Sequence, residues 1–130
     1  MIVVDASAVL EFLLRTPVAG AVEARLFSGA TLHAPHVIDL EVAQVIRRYE
    51  RAGVLTRRRG AEALADFAAM RIERYAHEPF LWRIWELRHN ATAYDAAYIA
   101  LAEALRAPLV TRDERLRSVP AHAARIEVLA

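Results

Sequence analysis

The chain contains no cysteine and no lysine among its 130 residues. Without cysteine there is no disulfide framework and no thiolate metal site. Without lysine, any mechanism that requires that side chain is excluded. All seventeen basic residues are arginine, which reflects a GC-rich genome more than function. Long apolar runs are missing too. The longest, Val9-Leu10 with Phe12-Leu13-Leu14, is cut by Glu11 and ended by Arg15, short of the roughly 18 residues a membrane span needs. Met1 leads straight into Ile2-Val3-Val4-Asp5, with no basic start and no cleavage site, so a cytoplasmic protein is expected. A net charge of only +1 argues against holding nucleic acid by bulk electrostatics alone. Apolar residues, by contrast, make up 56% of the chain. At this length the expectation is one domain over residues 1–130, with its surplus apolar surface hidden in an oligomer or under another chain.

Patterning along the chain points to strands separated by helices. Ile2-Val3-Val4 suits a strand buried on both faces of a parallel sheet. Val18, Val22 and Leu26 recur at helical spacing before Gly29, and Thr31 to Ala34 reads as a second strand ended by Pro35. Ile38, Val42, Val45 and Tyr49 mark one face of a helix that stops at Gly53. Thr56 is placed to cap the next helix, with Leu64 and Phe67 on its apolar side. Arg71 to Tyr75 alternates weakly as a third strand. Pro79 suits the first turn of a helix holding Phe80, Leu81, Ile84, Trp85 and Arg88. Thr92 opens a helix with Tyr94, Tyr98, Leu101 and Leu105 that Pro108 stops. Leu109-Val110-Thr111 and Ile126 to Leu129 complete the set. The order predicts an α/β three-layer sandwich around a mainly parallel sheet of about five strands.

Ligands of such sheets bind outside the carboxyl ends of the strands. Asp5 directly follows the first strand, with Ser7 two positions on, and Asp113 closely follows the strand that ends in Thr111. Glu41 and Asp95 lie in the first turns of helices that begin near the same edge. Each acid also has a plainer role. Asp5 suits a helix cap, Asp95 one half of a capping box with Thr92, Asp113 a cap for the segment from Glu114 to Leu116, and Glu41 a solvated helix position. Taken singly, the plainer roles are the better account; they do not predict that four acids share one edge. Four converging carboxylates with no lysine repel one another. A divalent cation resolves that repulsion, and oxygen-only ligands select Mg²⁺ or Mn²⁺.

Val3-Val4-Asp5-Ala6-Ser7-Ala8, Glu41, Tyr94-Asp95-Ala96-Ala97-Tyr98 and Thr111-Arg112-Asp113-Glu114-Arg115-Leu116 resemble, in this order over nearly the whole chain, the successive motifs of PIN-domain nucleases. In size and end motifs the chain is similar to the VapC-type toxins. The resemblance implies that Asp5, Glu41, Asp95 and Asp113 form an acidic catalytic cluster, with Asp5, Asp95 and Asp113 as metal ligands and Ser7 and Thr111 as supporting hydroxyls. It implies a five-stranded parallel sheet, metal-dependent hydrolysis of RNA phosphodiesters, a homodimer and a cognate antitoxin protein. Arg112 falls where the family varies; with Arg47 and Arg48 it is a candidate contact for the RNA backbone.

The remaining features carry less. His33, His36, His77, His89 and His122 lack ligand spacing, and surface or capping roles are expected of them. Arg47, Arg48, Arg51 and Arg57-Arg58-Arg59 form a basic patch that reads equally as a solvated face or as a guide for phosphate. Phe80, Trp82 and Trp85 share one helix and belong to the core or to a dimer contact. A phosphohydrolase with an aspartate nucleophile after its first strand would need an acid at position 7, which is Ser, and a lysine. A receiver domain fails on the same lysine. A housekeeping PIN nuclease without an antitoxin, and a non-catalytic module that keeps the fold to bind RNA or protein, are the alternatives.

Overall fold

Ile2, Val3 and Val4 are each at most 2% exposed. Successive side chains of a strand point to opposite faces, so such a strand must be covered on both sides. The computed structural model, which describes residues 1–129, supplies that cover. Its elements run β1 (Ile2–Val4), α1 (Ala6–Leu13), α2 (Ala19–Leu26), β2 (Leu32–Pro35), α3 (Ile38–Arg51), α4 (Arg57–Ala69), β3 (Ile72–Tyr75), α5 (Leu81–Glu86), α6 (Ala93–Leu105), β4 (Leu109–Thr111) and β5 (Ile126–Val128). Short 3₁₀ turns over Glu78–Phe80 and Glu114–Ser118 precede α5 and β5. The sheet has the order β3-β2-β1-β4-β5 and every neighbouring pair is parallel, so the expected α/β sandwich is present.

That order places the site. The chain steps outward from β1 through β2 to β3, then returns to lay β4 on the other side of β1. Between β1 and β4 the winding reverses, and the crevice at their carboxyl ends is where parallel sheets hold ligands. In register, Val3 pairs with Leu109 and Val4 with Val110, so the residues that leave the two strands are neighbours.

Local signals explain the helices. Thr56 accepts from the Arg59 amide at 3.0 Å and Thr92 from the Asp95 amide at 3.1 Å, each capping a helix as its position predicts. Gly53, at φ +76°, gives α3 a left-handed exit that a side chain would strain. In α6 the seven residues from Ala96 to Ala102 are all buried; a helix this rich in alanine approaches the sheet closely and packs on β1, β2 and β4. Two bidentate ion pairs pin the periphery: Arg83 of α5 to Glu103 of α6 at 2.8 and 3.0 Å, and Arg25 of α2 to Glu127 of β5 at 2.5 and 3.0 Å. The guanidiniums hold both carboxyls below their usual range.

Several expectations are corrected. Pro35 ends β2 from within, as its last residue, because a terminal position asks little of its missing N–H. The buried face of α4 is Gly60, Ala63 and Phe67, whereas Leu64 is 47% exposed. The α3 stripe runs through Ile38, Val42 and Ile46, and Tyr49 sits at its rim. Helix α6 ends at Leu105, where Arg106 turns left-handed, before Pro108 is reached. Trp82 and Trp85 are 81% and 57% exposed, which removes them from the core. His33 is buried and shares hydrogen bonds with Thr31 Oγ1 and Tyr75 Oη, both at 2.7 Å. His77 does act as a cap: its Nε2 accepts from the Val37 amide at the start of α3.

Candidate active site

Asp5 leaves β1 at the switch point, 7% exposed, and both of its carboxylate oxygens are occupied. Oδ1 accepts from Ser7 Oγ at 2.6 Å and from the Ala8 amide at 3.2 Å; Oδ2 accepts from Thr111 Oγ1. The two hydroxyls are themselves held by the chain that leaves β4. Ser7 Oγ accepts from the Arg112 amide and Thr111 Oγ1 from the Asp113 amide, both at 2.9 Å. Each hydroxyl thus takes a backbone proton on one side and gives its own to Asp5 on the other, a relay that stitches β1 to β4 and fixes the carboxylate. Asp5 is therefore also the cap of α1, and the capping and site readings coincide.

The other three acids reach the same edge by the geometry of parallel sheets. A helix that feeds a parallel strand starts at the carboxyl edge of the sheet, which puts the first turns of α3 and α6 beside Asp5. The first turn of α3 holds two acids. Asp39 is drawn off by Arg74 of β3, at 2.8 and 3.0 Å. Glu41 turns inward and accepts from Tyr98 Oη at 2.6 Å. Asp95 stands in the first turn of α6. Asp113 caps the 3₁₀ turn after β4, accepting from the Arg115 amide, and is clasped by the Arg115 guanidinium at 2.8 and 3.0 Å.

Electrostatics tie the four together. Burial raises the Asp5 carboxyl above its ordinary value, outweighing Ser7, Thr111 and Ala8, and the charge of Asp113 adds to the rise. Glu41 is raised by burial and by the charges of Asp5 and Asp95, with Tyr98 opposing. Asp95 is raised by burial and by Asp113, with Arg115 opposing. Asp113 alone is lowered, by Arg115. Three carboxyls that resist ionisation around one crevice, with a single exposed arginine as counter-charge, make a site short of positive charge.

The residues fit a hard divalent cation: every side-chain donor in the crevice is oxygen and most are carboxylate. As the side chains stand, no group of three or more acids or histidines among the described residues is close enough together to hold a metal ion. Two acids are engaged elsewhere, Glu41 by Tyr98 and Asp113 by Arg115, and Arg115 would have to release Asp113 to an ion. The candidate RNA contacts divide. Arg47 and Arg48 are exposed on α3, six and seven residues beyond Glu41, or about 10 Å along the helix. Arg112 donates from Nε to Glu11 at 3.3 Å and from Nη1 to the Leu129 carbonyl, so its guanidinium anchors the end of β5. Sequence reasoning missed Arg115 on Asp113 and Tyr98 on Glu41. Arg115, two residues from an acid, gave a usable signal; Tyr98 sat in an apolar stripe that concealed its hydroxyl.

Comparison with known proteins identifies the family. The PIN domain is matched over residues 2–121. Ribonuclease VapC12 of Mycobacterium tuberculosis is 42% identical over 130 residues, covering 100% of both chains. VapC ribonuclease Mb0985 of Mycobacterium bovis is 44% identical over 116 residues, 89% of this chain and 88% of its own. Among solved structures, VapBC2 from Rickettsia felis, bound to a DNA fragment from its promoter, superposes with a TM-score of 0.72 at 15% identity, covering 98% of each chain. The chain belongs to the PIN-domain family, among the VapC ribonucleases.

Proposed function

We propose that the chain is a Mg²⁺- or Mn²⁺-dependent endoribonuclease that hydrolyses RNA phosphodiester bonds, as the toxin half of a toxin–antitoxin pair in the cytoplasm. The observation that carries the catalytic reading is the Asp5 relay at the β1–β4 switch point, with Glu41, Asp95 and Asp113 electrostatically coupled to it. Asp5, Asp95 and Asp113 would hold the ion. When bound, the ion supplies acidification of a water, orientation of the scissile phosphate and relief of charge in the in-line transition state. Asp5 contributes a carboxylate locked by two hydroxyls, so that little reorganisation is left for the reaction itself. Asp95, whose carboxyl is raised by burial and by the charge of Asp113 and so binds a proton more readily than a free aspartate, is suited to take the proton from the attacking water. Purified chain should cleave RNA with Mg²⁺ or Mn²⁺ and lose that activity in EDTA; cleavage undiminished by EDTA would refute the metal-dependent reading.

The same reading includes a homodimer. Leu81, Trp82 and Trp85 are 55%, 81% and 57% exposed on α5, and Arg88 stacks on the Trp85 ring at 4.2 Å. Bare tryptophans on one short helix are typical of an interface and costly as free surface. Light scattering should give twice the chain mass at roughly 10–100 µM, the range for an interface of ordinary size, and Trp82→Glu should shift it to one. A wild-type monomer at those concentrations would refute the dimer.

A further inference from the structure

Tyr98 is 2% exposed, yet its hydroxyl is not spent on packing. It donates to Glu41 Oε1 at 2.6 Å, a short, charge-assisted bond across from α6 to α3. Burial, together with the charge of Glu41, holds the phenol far above its ordinary range, so it remains a donor at every working pH. Asp95 lies one turn before Tyr98 on the same helix and so on the same face. One helix therefore brings an acid of the cluster and a clamp for another.

We infer that Tyr98 is a positioning residue for Glu41: its hydroxyl, reaching from α6 to the first turn of α3, fixes Oε1 and leaves Oε2 for the crevice. This deepens the nuclease reading and rests on it. Glutamate has three side-chain torsions, and Glu41 is only half-buried. Unclamped, it would turn toward water, away from the charges of Asp5 and Asp95 that repel it. The clamp holds it against that repulsion, which a purely structural tyrosine would have no reason to do. A phenylalanine would fill the same space and leave the acid free.

The test is a cycle of wild type, Tyr98→Phe, Glu41→Ala and the double variant, read by RNA-cleavage kinetics in Mn²⁺, Mn²⁺ affinity by calorimetry, and melting in EDTA. Removing a group that orients a metal-site residue typically costs 10–100-fold. Tyr98→Phe should lower kcat by about that factor with KM within about twofold, weaken Mn²⁺ several-fold, and melt within a few degrees of wild type. In the Glu41→Ala background the same change should alter neither kcat nor Mn²⁺ affinity further. Wild-type behaviour of Tyr98→Phe, an equal loss in the Glu41→Ala background, or a melting point lower by more than about 10 °C would each overturn the inference. A wild-type chain that binds Mn²⁺ without cleaving RNA would instead defeat the nuclease reading, and the Mn²⁺ arm would then decide on Tyr98.

Discussion

Asp5→Asn should abolish RNA cleavage while leaving the metal-free protein at neutral pH as stable as wild type or more so. Aspartate and asparagine have nearly the same shape; the amide oxygen keeps the Ser7 and Ala8 donors, and the amide nitrogen donates to Thr111 Oγ1, whose own proton turns to Ser7 Oγ at 3.3 Å. The sign of the stability change follows from the direction of the pKa shift. The folded-state value of Asp5 is raised, because burial outweighs three hydrogen-bond donors. The fold therefore disfavours the charged form overall, and a neutral replacement relieves it. A raised carboxyl contributes stability that is present in full below its unfolded value, about 3.9, and is lost as pH rises through the folded value. Glu41 and Asp95 act in the same direction, while Asp113, lowered by Arg115, loses its contribution as pH falls. In EDTA, wild type should thus lose stability above pH 4 relative to Asp5→Asn, and the difference should close or reverse in more acid solution. A cation that binds only the folded state adds RT ln(1 + [L]/Kd), about 2.7 kcal/mol at a hundredfold excess over Kd, a shift of about 10 °C for a domain of this size. Mn²⁺ should raise the melting temperature of wild type by that order and of Asp5→Asn by much less. A variant that melts lower than wild type in EDTA at pH 7 and still cleaves RNA would end the assignment of Asp5.

The reach of the sequence follows from what each signal depends on. β1 and β4 were legible because a short run of β-branched and apolar residues buried on both faces has few other interpretations, and Thr56 and Thr92 because a cap is a local interaction. The edge occupied by Asp5 and Asp113 followed from strand order alone. Side-chain partners did not, because they depend on three-dimensional crossings between distant segments. Asp39 and Glu41 are indistinguishable by position, two residues apart in one helix turn; Arg74 takes one and Tyr98 the other. Arg112 looked like a free cation beside the site, and Glu11, a hundred residues earlier, engages it. Exposure misled in both directions at α5 and β2. Hydrophobicity allowed Trp82 a place in the core and polarity placed His33 outside, whereas Trp82 is exposed on α5 and His33 is buried with a partner on each ring nitrogen.

Co-expression with the protein encoded by the neighbouring upstream gene should yield a stable complex without ribonuclease activity. The reason lies in the charge of the crevice. Asp5, Glu41 and Asp95 are all held above their ordinary pKa values, first by burial and then by the charge of neighbouring carboxylates, so a cation that reaches them gains. Arg115 already demonstrates the chemistry within the chain: a guanidinium takes Asp113 in a bidentate pair at 2.8 and 3.0 Å. That arginine is exposed and bonds only Asp113, easing Asp95 from a distance without reversing its shift. An inhibitory segment that extends an arginine toward Asp5 and Asp95 would satisfy the buried acids as well, with the fork geometry that suits carboxylates. It would then exclude both ion and substrate phosphate, so inhibition would be complete rather than graded. Replacing that arginine by methionine should restore cleavage while the complex stays intact, because the rest of the contact does not depend on the charge. The complex should also show none of the Mn²⁺-induced rise in melting temperature expected of the free chain. Recovery of the chain free and fully active from the co-expression would remove the toxin assignment and leave the nuclease one standing. A complex that cleaves RNA as fast as the free chain would show that the partner covers some surface other than the acid cluster.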